Sequence, residues 1–347
     1  MKDLLTNANF PRSADLRVYH LGVRPGEVAN RLVTAGTPSR ARTIATFLDE
    51  TPKPFELFSE RGFLTITGRY KRTPISIVSI GMGNPNMDFF VREMRECISG
   101  DMVIVRLGSC GALENVPVGT VVVPESCVQI SRNVDFDFLH PESNDSGPPY
   151  RISKLASGDK ELCQELLQAL ERAKPAASKS LIIGERVNAS ADSFYSSQGR
   201  QTSFPDQNAG LIESMRESVP KLATLEMETF HLYHLAACWR APPVSLHISL
   251  APPLASSPVE PVVSKDSRSG PPLVQPSSVV VGEQSIIRAA AAHMVFASRT
   301  SQDFITPQAV EELERWTALG TLDALVRINI STERLHEEAG SVWAIKE

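Results

Sequence analysis

The chain has 347 residues, 42% hydrophobic and 22% charged, with a formal net charge of −5; that suits one large or two ordinary globular domains and excludes a basic surface for nucleic acid or a membrane. It shows neither the apolar core of a signal peptide nor a run of the ~18 apolar residues that a membrane span needs. Five cysteines (Cys97, Cys110, Cys127, Cys163 and Cys238) are scattered and never in CxxC spacing, which argues against a disulfide framework or zinc site and for reduced thiols in a cytoplasmic protein.

In chain order, "RLVTAG", "FLTITGRY", "PISIVSIGMG", "MVIVRLGSCG", "GTVVVPES" and "LIIGERVNA" predict strands. Several are apolar throughout, as in a sheet covered on both faces. Between them, "SRARTIATFLDE", "NMDFFVREMRECIS" and "DKELCQELLQALERA" space their apolar residues as amphipathic helices do. "LEMETFHLYHLAACW" predicts a more apolar helix and "VSLHISL" another strand. The alternation predicts a three-layer α/β/α domain whose mixed central sheet is open or partly closed into a barrel. Residues 251–284 hold seven prolines and seven serines without periodicity, so a flexible loop is expected there. A helix is expected over 285–299, completing a single domain at 1–300. Residues 301–347 form a C-terminal extension with one helical stretch, "PQAVEELERWTALGTLDALVRI". "GMGNPN" is too short to stand as a phosphate loop.

Three arginines follow or end predicted strands near glycine: Arg40 in "AGTPSRAR", Arg61 in "FSERGF" and Arg106 in "VRLGSCG". Arginine forks well onto phosphate oxygens, and "AGTPSR" places backbone amides at a strand-to-helix junction that favours an anion. Ser109 adds a hydroxyl. An unpaired cation at the end of an apolar strand is costly, so Arg106 calls for a partner. In "LEMETF", Glu226 and Glu228 flank Met227. Acids suit a helix start, and a carboxylate also suits a sugar diol. In "ADSFYSSQGRQ", Gln198 and Arg200 follow Phe194 and Tyr195; on an extended backbone they would point to the same side. Uracil presents an N3–H between two carbonyl oxygens. An amide can match the N–H and one carbonyl while an arginine donates to the other, and the same donors would stabilise a departing uracil anion. Cys110, His231, His234, Asp135 and Asp137 are expected in structural or surface roles.

Taken in this order, the pieces resemble the nucleoside phosphorylase family, and within it the members that act on uridine. The likeness runs from "VYHLGV" at 18–23 to "VSLHIS" at 244–249. The resemblance implies reversible phosphorolysis of uridine to uracil and α-ribose 1-phosphate, with inorganic phosphate as co-substrate and no cofactor or metal. It implies Gly36, Arg40, Arg61, Arg106 and Ser109 on phosphate, His20, Met227 and Glu228 on ribose, and Phe194, Gln198 and Arg200 on the base. Arg106, Arg40 and Glu228 would carry the catalysis. His20 and Arg61 match residues that a neighbouring subunit contributes, implying a homodimer or a trimer of dimers. The chain departs from the family in two places. Gly62 replaces a glutamate associated with a monovalent-cation site. After the sixth strand, relatives continue through an Asn-Arg or an Asp pair, and "ISLAPPLASSP" has neither. Lack of the acid favours a pyrimidine over a purine; lack of the arginine leaves Arg200 without its expected support. A hydrolase or purine nucleoside phosphorylase of the same fold, or a silent binding or storage homologue, are the alternatives.

Overall fold

A computed structural model describes residues 5–143, 146–239, 247–249, 278–280 and 285–345. Its main sheet contains β1 (Arg31–Ala35), β2 (Phe55–Phe58), β3 (Leu64–Tyr70), β4 (Thr73–Ser79) and β5 (Met102–Ala112), then β6 (Val121–Arg132), β7 (Ile182–Ala191), β8 (Leu222–Glu226) and β9 (Ile287–Ser298). Two short strands, Tyr150–Ile152 and Ala156–Ser157, lie against β6. The helices are α1 (Pro38–Ala45), α2 (Asn84–Arg95), α3 (Lys160–Ala173), α4 (Leu211–Ser218), α5 (Thr229–Cys238) and α6 (Pro307–Arg327).

Strand pairing closes a ring. β5 pairs with β9 in parallel, β9 with β6 antiparallel, β6 with β7 and β7 with β8 in parallel, and β8 returns antiparallel to β5. From β5 the sheet continues as an open wing through β1, β4, β3 and β2. The expected mixed, partly closed sheet is therefore present, flanked by helices.

Alternation along β5 explains the layers. Val103, Val105 and Leu107 point into the core that holds Leu162, Leu166, Trp316 and Leu322 of α3 and α6. Met102 and Ile104 point the other way, to Phe90, Met94 and Leu232 of α2 and α5. With side chains alternating at period two and helices on both faces, the run Met102–Val105 is apolar at every position.

The same logic corrects one expectation. Residues 285–299 do not form a helix; Ile287–Ser298 is a strand. The run "AAAA" has high helix propensity, but tertiary context overrides it. Ala290 and Ala292 face one core and Ala289 and Ala291 the other, and small residues fit a strand crowded from both sides. The strand expected in "VSLHISL" is not the one that completes the sheet: among the described residues, His247–Ser249 pairs with Ser278–Val280 in a separate two-stranded ladder. The strand that joins β5 to β6 is β9, and Arg299 comes directly after it. The remainder of the proposed 251–284 loop lies outside the described residues, as does the "LAPPLASS" segment.

Residues 301–345 join the same core. α6 contributes Leu313, Trp316, Leu322 and Leu325, and it approaches α3 so closely that a Cβ at Gly320 would lie 3.0 Å from Leu170 Cα. Arg31 on β1 donates to the carbonyls of Leu325 and Ile328 at 3.0 Å each, capping the end of α6.

Candidate active site

A cavity of about 240 Å³ opens where the ends of β1, β5, β8 and β9 meet the turns beyond them. Gly36, Arg40, Arg106 and Ser109 line it, as do Met227, Glu228, Phe194, Gln198 and Arg200. Nine of the eleven residues to which the resemblance gives a binding role thus converge on one place.

Arg40 arrives from the first turn of α1. Thr37 caps that helix by accepting from the Arg40 amide at 3.3 Å, and Pro38 follows at the first helical position. The Arg40 side chain is buried, with Nε donating to Glu314 at 2.7 Å. Burial lowers its pKa, Glu314 opposes this, and Arg106 lowers it further, so the two guanidinium groups feel one another.

Arg106 leaves β5 fully buried. Nε donates to Glu226 Oε2 at 3.2 Å and Nη2 to Glu228, while Nη1 is buried without a partner among the described residues. Arg106 lies inside β5 and not at the strand end expected from the sequence, and the partners anticipated for this cation are both carboxylates of the "LEMETF" segment. Burial opposes its charge, but the two glutamates outweigh that and raise its pKa. Gly108 makes the fold of this side chain possible, since a Cβ there would meet Arg106 Nη2 at 3.2 Å.

Glu226 and Glu228 take separate roles, because the helix expected from "LEMETF" starts later than the sequence suggests. Glu226 ends β8, Glu228 is the N-cap and α5 begins at Thr229. Glu226 accepts from the amides of Glu228 and Thr229, from Thr229 Oγ1, from Asn188 Nδ2 at 2.8 Å and from Ser190. Burial resists its ionisation, but Arg106 and these donors hold the carboxyl at about 2. Glu228 accepts the Gly83 amide at 2.5 Å. Burial pushes it up to about 7 although Arg106 pulls it down, because Glu226 repels it.

The Phe194–Arg200 segment is not extended. Ser196–Gln198 form a 3₁₀ turn, and Gly199 is left-handed with φ +63°, so the turn, rather than strand alternation, brings Gln198 and Arg200 to one cavity. The Arg200 guanidinium lies 4.2 Å above the Phe194 ring centroid, and its buried Nε has no partner among the described residues. Among the described residues, the Gln198 amide makes no hydrogen bond. Its backbone is held by Arg299, which donates to the Gln198 carbonyl at 3.0 Å and the Gly199 carbonyl at 3.4 Å. The arginine missing from "ISLAPPLASSP" thus has a counterpart at the end of β9.

His20 and Arg61 lie outside the cavity. His20 hydrogen-bonds Glu93 through Nδ1 at 2.6 Å and stacks on Phe89 at 3.7 Å. Arg61 lies over the Tyr19 ring at 5.0 Å and donates to its hydroxyl. Tyr19 meets His20 edge-on, so the two residues share one cluster.

Sequence reasoning misses Gly83, Glu314, Phe296 and Arg299. "GMGNPN" is the available signal for Gly83: Gly81 and Met82 line the cavity, and Gly83 donates to Glu228. Phe296 and Arg299 are hidden by the helical propensity of their strand. Cys110 also lines the cavity, but burial pushes its thiol well above the usual range, which leaves it a structural thiol.

A family model described as the phosphorylase superfamily matches residues 30–254. The chain is 29% identical over 244 residues to a uridine phosphorylase of Thermococcus kodakarensis, covering 68% of this chain and 78% of that one. It is 36% identical over 115 residues to a DeoD-type purine nucleoside phosphorylase of Roseobacter denitrificans, a match spanning 32% of this chain and 47% of the other. Among solved structures, one described for uridine phosphorylases of the oomycete Phytophthora capsici superposes with a TM-score of 0.76 at 35% identity. That match covers 94% of this chain and all of the other. Among the described residues, no helix is long and apolar enough to cross a membrane.

Proposed function

This chain belongs to the phosphorylase superfamily as an enzyme of the nucleoside phosphorylase type, and on that footing we propose that it catalyses reversible phosphorolysis of uridine, giving uracil and α-ribose 1-phosphate. The observation that carries this reading is the convergence of two buried arginines, an elevated carboxyl and an aromatic–amide–arginine turn on one cavity.

In this reading Arg40, Arg106, Ser109 and the Gly36 amide hold phosphate, with the unpartnered Arg106 Nη1 as one donor. Glu228 accepts from the ribose diol and Met227 packs on the sugar. Phe194 packs against the base while Gln198 and Arg200 bond its carbonyls and N3–H. As the C1′–N1 bond breaks, its electron pair passes to the base and C1′ gains positive charge. The phosphate oxygen facing C1′ stabilises that charge and forms the new C1′–O bond. The arginine and amide take up the charge on the departing uracil, which then acquires a proton from solvent. Positioning and preorganised charge supply the catalysis. His20 and Arg61 serve a neighbouring subunit's site, making the enzyme a homodimer or a trimer of dimers.

Two observations favour a pyrimidine. The likenesses to uridine phosphorylases span most of the chain, whereas the match to the Roseobacter purine enzyme spans a third of it. An arginine, Arg299, rather than an acid follows β9. Phosphorolysis of a panel of uridine, thymidine, deoxyuridine and inosine tests the choice. Uridine should give the highest kcat/KM; a preference for inosine would replace this reading with the purine one.

A further inference from the structure

Glu314 lies on α6, beyond the residues that the family model matches. No motif in the sequence points to it. Its Oε1 accepts from Arg40 Nε at 2.7 Å, and both side chains are largely buried. Arg40 is held on two further sides: Nη1 leans on the Leu107 carbonyl at 3.4 Å, and the guanidinium lies 5.6 Å from the Phe296 ring centroid. Nη2 makes no hydrogen bond among the described residues.

A guanidinium carries five N–H donors in a fixed fork, one on Nε and four on the two terminal nitrogens. A carboxylate on Nε therefore takes one edge and leaves the terminal nitrogens for an anion. It also fixes rotation of the group, and it supplies a counter-charge where burial and the neighbouring Arg106 both oppose ionisation. The mount is rigid. α6 is tied at its far end by Arg31 and packs tightly on α3 through Gly320.

We infer that Glu314 is a positioning residue of the phosphate site, holding Arg40 by Nε so that the terminal guanidinium nitrogens face the cavity. This rests on the reading of that cavity as a phosphorolytic active site. In family terms the first phosphate motif is "AGTPSR"; here the C-terminal helix completes it.

The test compares the full-length native protein with Glu314→Ala and Glu314→Gln. Each is measured for phosphate KM, nucleoside KM and the rise in melting temperature produced by inorganic phosphate. Glu314→Ala should raise phosphate KM by about tenfold or more and shrink the phosphate-induced rise in melting temperature. Nucleoside KM should stay within about twofold. Glu314→Gln, whose amide oxygen can still accept from Nε, should recover part of the loss. A folded Glu314→Ala protein with unchanged phosphate KM would overturn the inference, as would equal increases in both KM values. If the native protein shows no phosphate-dependent turnover, the functional reading fails, yet the phosphate-induced melting shift in native protein and variant still decides the role of Glu314. Native protein that phosphate does not stabilise overturns both.

Discussion

Arg299, the first residue after β9, donates to the main-chain carbonyl of Gln198 at 3.0 Å, so the end of a strand in the ring holds a turn that lines the cavity. A second bond reaches the Gly199 carbonyl at 3.4 Å. Charged hydrogen bonds of this kind are worth about 1.5–3 kcal/mol each. Arg299→Ala should raise the KM for uridine by roughly 10-fold or more with phosphate KM little changed. Steady-state kinetics with each substrate varied in turn checks this; an unchanged uridine KM would show that the turn holds itself.

Gly108 should not tolerate a methyl group. An added Cβ would lie 3.2 Å from Arg106 Nη2 and 3.3 Å from Cζ and Nε, and the fully buried guanidinium has little room to retreat. Gly108→Ala should lower kcat/KM by about 10²-fold, on the scale of a displaced preorganised donor, with circular dichroism unchanged. Activity within twofold of native would mean that the arginine has slack.

Glu226 is predicted to matter for stability as well as turnover. It faces Arg106 and collects donors from β7 and from the N-cap and first residue of α5. Removing one partner of a buried ion pair costs about 3–5 kcal/mol. Glu226→Gln should lower the denaturation midpoint and the activity together. Because its carboxyl is held down at about 2, the stability it contributes is present above its ordinary value of 4.5 and is lost as pH falls toward 2.

Much of this site is legible in the sequence, and the failures have one cause. Arg40 follows the glycine turn after β1, whereas Arg106 and Ser109 lie inside β5 on either side of Gly108, and both stretches are visible as short motifs. Gln198 and Arg200 are identifiable even though their backbone is a turn and not the extended segment expected, because the residue types define the chemistry whatever the backbone does. β9 reads as a helix because four alanines in a row signal one when only local propensity is weighed. Its strand conformation is dictated by Ile104 and Leu107 beside it and by helices on both faces, which no local pattern encodes. Arg299 and Phe296 are hidden with it. Glu314 is invisible to any local reading, since its pairing with Arg40 spans 274 positions.

Glu228 predicts a pH profile. Its carboxyl is raised by burial from an ordinary 4.5 to about 7, and a diol needs the ionised form as acceptor. The kcat/KM for uridine should therefore fall as pH drops below about 7. Linkage runs in the opposite sense: a raised carboxyl favours the folded state at low pH, and that contribution is lost as pH rises through the same value. Glu228→Gln should abolish the acidic limb while lowering activity throughout; a limb that survives in this variant belongs to another group.

The central claim is that phosphate, held by Arg40 and Arg106, is the acceptor for the sugar. Uracil release from uridine, measured by chromatography with and without inorganic phosphate, tests it most directly. The account predicts release only with phosphate, with ribose 1-phosphate formed in equal amount. Release of uracil and free ribose without phosphate would contradict it and make the protein a hydrolase.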